Sequence, residues 1–137
     1  KIAPDLSYEA LDELLVVCEE GSIDGIIAVN TTVAREGVSR AAAETAGGLS
    51  GEPIKKQATE IISYIHKKRP TLPIIGVGGI FTAEDAYEKI KAGASLVQVY
   101  TGFIYEGPFI ARTINQGLVK LLEKDGYKNI SEAVGKG

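Results

Sequence analysis

Two glycine-rich turns, each directly after an apolar run, are the first residues to suggest chemistry. Ile75-Gly76-Val77-Gly78-Gly79-Ile80 sets two adjacent glycines where backbone N–H groups can face an anion. Tyr100-Thr101-Gly102 offers a second set of donors about 20 residues further on. A pair of such turns, each after a strand, is moderately specific for a phosphate cup, whereas one alone would be weak evidence. A third cluster, Asn30-Thr31-Thr32, closes another apolar run. A fourth, Gly47-Gly48-Leu49-Ser50-Gly51, suits close backbone approach to a ligand.

Other chemistries are poorly served. The 137 residues hold one cysteine and one histidine, which excludes a disulfide framework, a CxxC zinc site and multi-His metal sites. No metal is expected. Cys18 lies on an apolar stripe and reads as a small buried hydrophobe. His66 stands with Lys67, Lys68 and Arg69 at a helix end, where cations complement the dipole, so a structural role is expected. The net charge of −3 argues against a nucleic-acid surface. No apolar run approaches the roughly 18 residues that span a bilayer.

The elements that would position these clusters can be read from periodicity. Ile26–Asn30, Ile74–Gly78 and Ser95–Tyr100 are β-branched runs with little alternation, as expected for parallel strands covered on both faces. A fourth strand is expected at Lys1-Ile2-Ala3, closed by Pro4. Between them run helical stripes: Leu11, Leu14, Leu15 and Cys18 after a Ser7 cap; then Ile54, Ala58, Ile61, Ile62 and Ile65. Ala83, Ala86, Tyr87 and Ile90 follow, with Thr82 and Asp85 able to cap reciprocally and Gly93 able to end the helix. The last stripe is Ile110, Ile114, Gly117, Leu118 and Leu121, with Pro108 suited to its first turn. The order is β-α-β-α-β-α-β-α in a single domain over residues 1–137. Residues 31–53 form one long connection, a length expected of lids or binding loops. Two architectures accept this order: an open doubly wound sheet, or half of a (β/α)₈ barrel. Both put the chemistry at the carboxyl ends of the strands, where the Asn30-Thr31-Thr32, Gly78-Gly79 and Tyr100-Thr101-Gly102 clusters lie.

Taken in order, Lys1-Ile2-Ala3-Pro4-Asp5-Leu6, Asn30-Thr31-Thr32, Gly47-Gly48-Leu49-Ser50-Gly51, Pro73 to Ile80 and Ala92 to Gly102 closely resemble the C-terminal half of the dihydroorotate dehydrogenases. The opening hexapeptide resembles the class 2, quinone-linked members. The resemblance spans essentially the whole chain and selects the second architecture: the C-terminal half of a (β/α)₈ barrel with four β/α units and parallel strands. It implies a flavoenzyme that oxidises dihydroorotate to orotate in pyrimidine (UMP) biosynthesis, with hydride passing to FMN and electrons on to quinone. It also implies a peripheral membrane location, on the cytoplasmic face if the source is bacterial.

By resemblance, Lys1 touches the flavin ring, where a cation stabilises the negative charge of the reduced form. Asn30 and Thr31 bind substrate, the amide both donating to and accepting from a pyrimidine edge; Thr32 is structural. Gly51, Gly79, Tyr100 and Thr101 bind FMN, the last two at its phosphate. Ser50, Gly78 and Gly102 are lesser candidates. Val29 departs from the family, which usually has threonine at this flavin position: either a backbone group serves or the contact is absent. No catalytic base is expected in this chain. The family's base is a serine in the N-terminal half, and Ser7, Ser22, Ser39, Ser50, Ser63, Ser95 and Ser131 do not occupy its motif. The chain starts on a lysine inside a motif, so a partial barrel is expected. Its partner would be the other barrel half, with membrane contact only through a segment outside this chain. A non-catalytic half-barrel that binds a phosphorylated ligand, or that completes a split barrel, is the alternative.

Overall fold

A computed structural model describes residues 1–137, the side chain of Ala42 excepted. Three parallel strands, β1 (Ile26–Ala28), β2 (Ile74–Val77) and β3 (Leu96–Gln98), lie side by side in chain order. Parallel neighbours need crossover connections, and helices supply them. α1 (Tyr8–Glu20) precedes β1; α2 (Arg40–Ala43) and α3 (Lys55–Lys68) link β1 to β2; α4 (Ala83–Ala92) links β2 to β3. α5 (Thr101–Glu106), α6 (Ile110–Asp125) and α7 (Ile130–Ala133) follow.

The helix caps form where the side chains allow. Ser7 Oγ accepts from Ala10 N–H at 3.2 Å and starts α1. Thr82 and Asp85 make the reciprocal capping box of α4, and Gly93 ends it in a positive-φ turn. α6 begins at Ile110 with Phe109 as its cap residue, so Pro108 lies just outside the first turn rather than in it.

The sheet differs from expectation in two ways. The strand at Lys1-Ile2-Ala3 is reduced to one parallel bridge, Ile2 to Ala28, because Pro4 has no N–H to continue the ladder. Ile2 still makes both available bonds: its N–H donates to Ile27 O at 3.0 Å, and its carbonyl accepts from Asn30 N–H at 2.7 Å. Second, helices cover only one face. α3 packs on β1 and β2, α4 on β3, and α6 on α4. Ile26, Ala28 and Ile74 are buried beneath them, joined in the core by Ile61, Ile62 and Ile65. Burying each of these isoleucine side chains is worth roughly 1.5–3 kcal/mol. The alternate residues form a level across the other face, Ile27 beside Ile75 beside Leu96. The first two are half-buried and Leu96 is 63% exposed. Little alternation in the sequence therefore reflects an apolar second face that these helices leave open, as on the inner side of a barrel wall.

Candidate active site at the strand ends

At the carboxyl ends of β1, β2 and β3 the backbone turns away and leaves a cleft of about 320 Å³. Lys1 and the β1 end, Val29, Asn30 and Thr31, form one side. Gly78 and Gly79, after β2, form the floor, and Tyr100, Thr101 and Gly102, after β3, form the other side. Ser50 and Gly51 reach in from the long connection. Every residue singled out from the sequence as a cofactor or substrate contact thus lines this one cleft. Ile54, Val77, Ile80, Gln98 and Val99 also line it and were not singled out. Of these, Gln98 is the one with a sequence signal, a polar residue inside an apolar run.

The glycine turns are required by packing. Gly79 has φ +67°, and a Cβ there would lie 2.3 Å from Lys55 Cβ and 2.7 Å from Lys55 Cα. The turn is pressed against the first residue of α3. At Gly102 a Cβ would meet Ile80 O at 2.3 Å, so the β2 and β3 loops touch backbone to backbone. Only glycine permits both approaches. α5 starts at Thr101, so its first N–H groups lack acceptors within the helix.

The long connection is folded back rather than loose. Thr32 and Leu49 exchange backbone bonds at 3.0 and 2.8 Å, closing its neck. Arg35 caps the Val33 and Ala34 carbonyls at 3.1 Å each and reaches across to Gly47 O. Thr32 is buried; its hydroxyl donates to Asp5 and accepts from Ala34 N–H at 3.0 Å, which is a structural role. Past the neck, the Ser50 and Thr101 hydroxyls lie 2.8 Å apart, tying the connection to the β3 loop.

Val29 is buried, and its N–H donates to Val77 O at 3.0 Å. That N–H is engaged in the sheet, so Val29 meets the cleft as an apolar wall. The peptide bond before it is cis. Asn30 and Thr31 are exposed at the cleft mouth. Cys18 is half-buried against the core. His66 packs beside Gly93 and Gly135, far along α3 from the cleft.

Behind the β2 turn lies a polar network. Asp85 Oδ2 accepts from Phe81 and Thr82 N–H at 2.9 Å each, and Asp85 pairs with Lys55 Nζ. Burial opposes ionisation of Asp85, but the Lys55 ammonium and these N–H groups together bring its carboxyl below the ordinary range. Lys89 is fully buried; its Nζ donates to Lys55 O at 2.9 Å and to Thr59 Oγ1. Burial pushes its ammonium down from 10.5 to about 8.

Among the described residues no group of His, Cys, Asp and Glu is placed to hold a metal ion, and no helix is long and apolar enough to cross a membrane.

Comparison with known proteins places this cleft in a family context. Residues 1–122 match the family model described as dihydroorotate dehydrogenase. The chain is 51% identical over 144 residues to a quinone-type dihydroorotate dehydrogenase from Crocosphaera subtropica, and 53% identical over 136 residues to one from Natronomonas pharaonis. Each match covers 98% of this chain but only 38% and 39% of those relatives. The crystal structure of the ligand-free enzyme from Eimeria tenella superposes with a TM-score of 0.92 at 40% identity, over 98% of this chain and 38% of that one. The chain spans little more than a third of the length of these relatives, its parallel β/α units form half of a (β/α)₈ barrel, and it belongs to the dihydroorotate dehydrogenase family.

Proposed function

We propose that this chain is the C-terminal half of a quinone-linked dihydroorotate dehydrogenase and holds the FMN and pyrimidine contacts of that enzyme. The observation that carries the reading is the convergence of the family's contact positions on one cleft at three strand ends. Quinone-type relatives at about half identity support the acceptor class.

The residues present fit FMN. Two glycine turns with no room for a Cβ, beside the Thr101 hydroxyl and the start of α5, form a cradle for a phosphate. When bound, FMN supplies the hydride acceptor that no side chain can provide. Gly51, Gly79, Tyr100 and Thr101 would hold it, the last two at its phosphate, with Ser50, Gly78 and Gly102 as lesser contacts. Lys1 lines the cleft, and its amine would stabilise the charge that a bound flavin gains on reduction. Val29 adds only apolar wall.

Asn30 and Thr31 would hold dihydroorotate by its polar edge and so orient its ring for oxidation. Oxidation to orotate removes a hydride and a proton. The proton goes to a serine base in the other half of the barrel, and the electrons continue to quinone. Because quinone dissolves in the bilayer, the enzyme works at a membrane surface, on the cytoplasmic face in a bacterium, through a segment outside this chain.

The test is a reconstituted barrel, in which this chain is joined to the N-terminal part of the Crocosphaera subtropica relative. It is expected to purify with flavin absorbance and to reduce a soluble quinone in the presence of dihydroorotate. A folded barrel that holds no flavin refutes the reading.

A further inference from the structure

Lys89 is the largest fully buried side chain among the described residues, and the cleft residues do not include it. A buried ammonium is costly unless its position repays the desolvation. Its hydrogen bonds go to a carbonyl and a hydroxyl, Lys55 O and Thr59 Oγ1, not to a carboxylate. The nearby carboxylate, Asp85, is taken by Lys55 and by the N–H groups of Phe81 and Thr82.

The geometry gives this cation a place in the site. Lys89 lies on α4, and both acceptors lie within the first five residues of α3. The start of α3 is the surface on which Gly79 rests, because Lys55 Cα and Cβ are the atoms a Gly79 side chain would strike. Gly78 rests on the same helix start, with Ile54 and Ala58 each 3.1 Å from where its Cβ would be. Lys89 also sits under β2, its Cβ 3.2 Å from where a Gly76 Cβ would be. It therefore joins α4, the start of α3 and the strand that carries the turn.

Resting on the assignment of the cleft to FMN, we propose that Lys89 is a positioning residue for the cofactor phosphate. By cross-linking α4 to the start of α3, it fixes the bed of the Gly78–Gly79 turn and hence the direction of its N–H groups. It does not touch the cofactor.

A phosphate-specific effect separates this role from general stabilisation, because riboflavin is the same ring without the phosphate. The affinities of the reconstituted barrel for FMN and riboflavin are measured for wild type, Lys89→Met and Thr59→Val. Lys89→Met keeps the length of the side chain and removes the ammonium, so FMN should bind about tenfold more weakly while riboflavin changes by no more than about twofold. Thr59→Val keeps the shape of the acceptor and removes its oxygen. It should move the FMN-to-riboflavin ratio in the same direction by a smaller factor, and it remains informative if Lys89→Met does not fold. Equal weakening of both ligands, or an unchanged ratio in Thr59→Val, overturns the proposal. A wild-type barrel that binds flavin but does not prefer FMN over riboflavin overturns the phosphate cup itself, and is recognisable because it needs no variant.

Discussion

Replacing Gly79 with alanine tests whether the β2 turn is seated as tightly as the structure shows. Two costs add. Alanine at φ +67° enters the left-handed region, at about 1 kcal/mol. Its Cβ would then lie 2.3 Å from Lys55 Cβ and 2.7 Å from Lys55 Cα. The second atom is backbone at the start of a helix, so no rotamer change relieves it, and overpacking of this kind costs about 1–3 kcal/mol. Gly126 supplies the control: it has φ +81° at the end of α6 and nothing within 4 Å of its would-be Cβ. Gly126→Ala bears the backbone term alone, about 1 kcal/mol, and Gly79→Ala should cost about 2–4 kcal/mol in total. Urea unfolding of the reconstituted barrel, followed by circular dichroism, measures both. Equal losses would refute the reasoning, since they would mean that α3 does not press on the turn, and the role assigned to Lys89 would lose its footing as well.

Asn30→Ala should weaken dihydroorotate binding about tenfold to a hundredfold, the consequence of an unpaired polar group in a closed site, while flavin content stays near normal. Thr101→Ala, which also deletes the hydroxyl contact with Ser50, should instead lower FMN retention; flavin absorbance per chain beside saturation kinetics distinguishes the two. The Lys89 ammonium titrates at about 8 in the folded chain and at 10.5 when free. Between those values the unfolded chain binds more protons, so this group makes stability rise with pH, by up to about 3 kcal/mol. Wild type should therefore gain on Lys89→Met less below pH 8 than at pH 10 in paired urea titrations, and parallel profiles would exclude the buried charge. The 137-residue chain by itself leaves the outer edge of β3 unpaired and exposes Leu96, Ile104, Tyr105 and Phe109, so it should self-associate in sedimentation velocity; a stable monomer at micromolar concentration would contradict this.

What the sequence reveals follows the range of the interactions involved. The Ser7 cap, the Thr82–Asp85 box and the apolar stripes of α1, α3, α4 and α6 act within a few residues, and each is legible as a local pattern. The cleft residues are legible because strand ends collect them and because the family motifs mark them. α5 is not, since Phe103, Ile104 and Tyr105 are consecutive, apolar and exposed, leaving no stripe to read. The closed neck of the long connection rests on Thr32 meeting Leu49 and Arg35 meeting Gly47, pairings that no periodicity announces. Lys89 is hidden for a similar reason. It sits between Glu88 and Ile90 in a charged helix, and only the approach of α3 turns it from a solvated lysine into a buried one.

The level formed by Ile27, Ile75 and Leu96 has a consequence for how two half-barrels find each other. Leu96 stands at the free edge of β3, so the next strand to dock there is read against it first. Side chains alternate along a strand, and a slip of one residue exchanges the inward set for the outward set. A strand arriving one position out of step would set a helix-facing residue beside Leu96 and point its own inward residue away. Half a barrel thus acts as a ruler for the other half: the height of one exposed leucine dictates the alignment in which the ring can close.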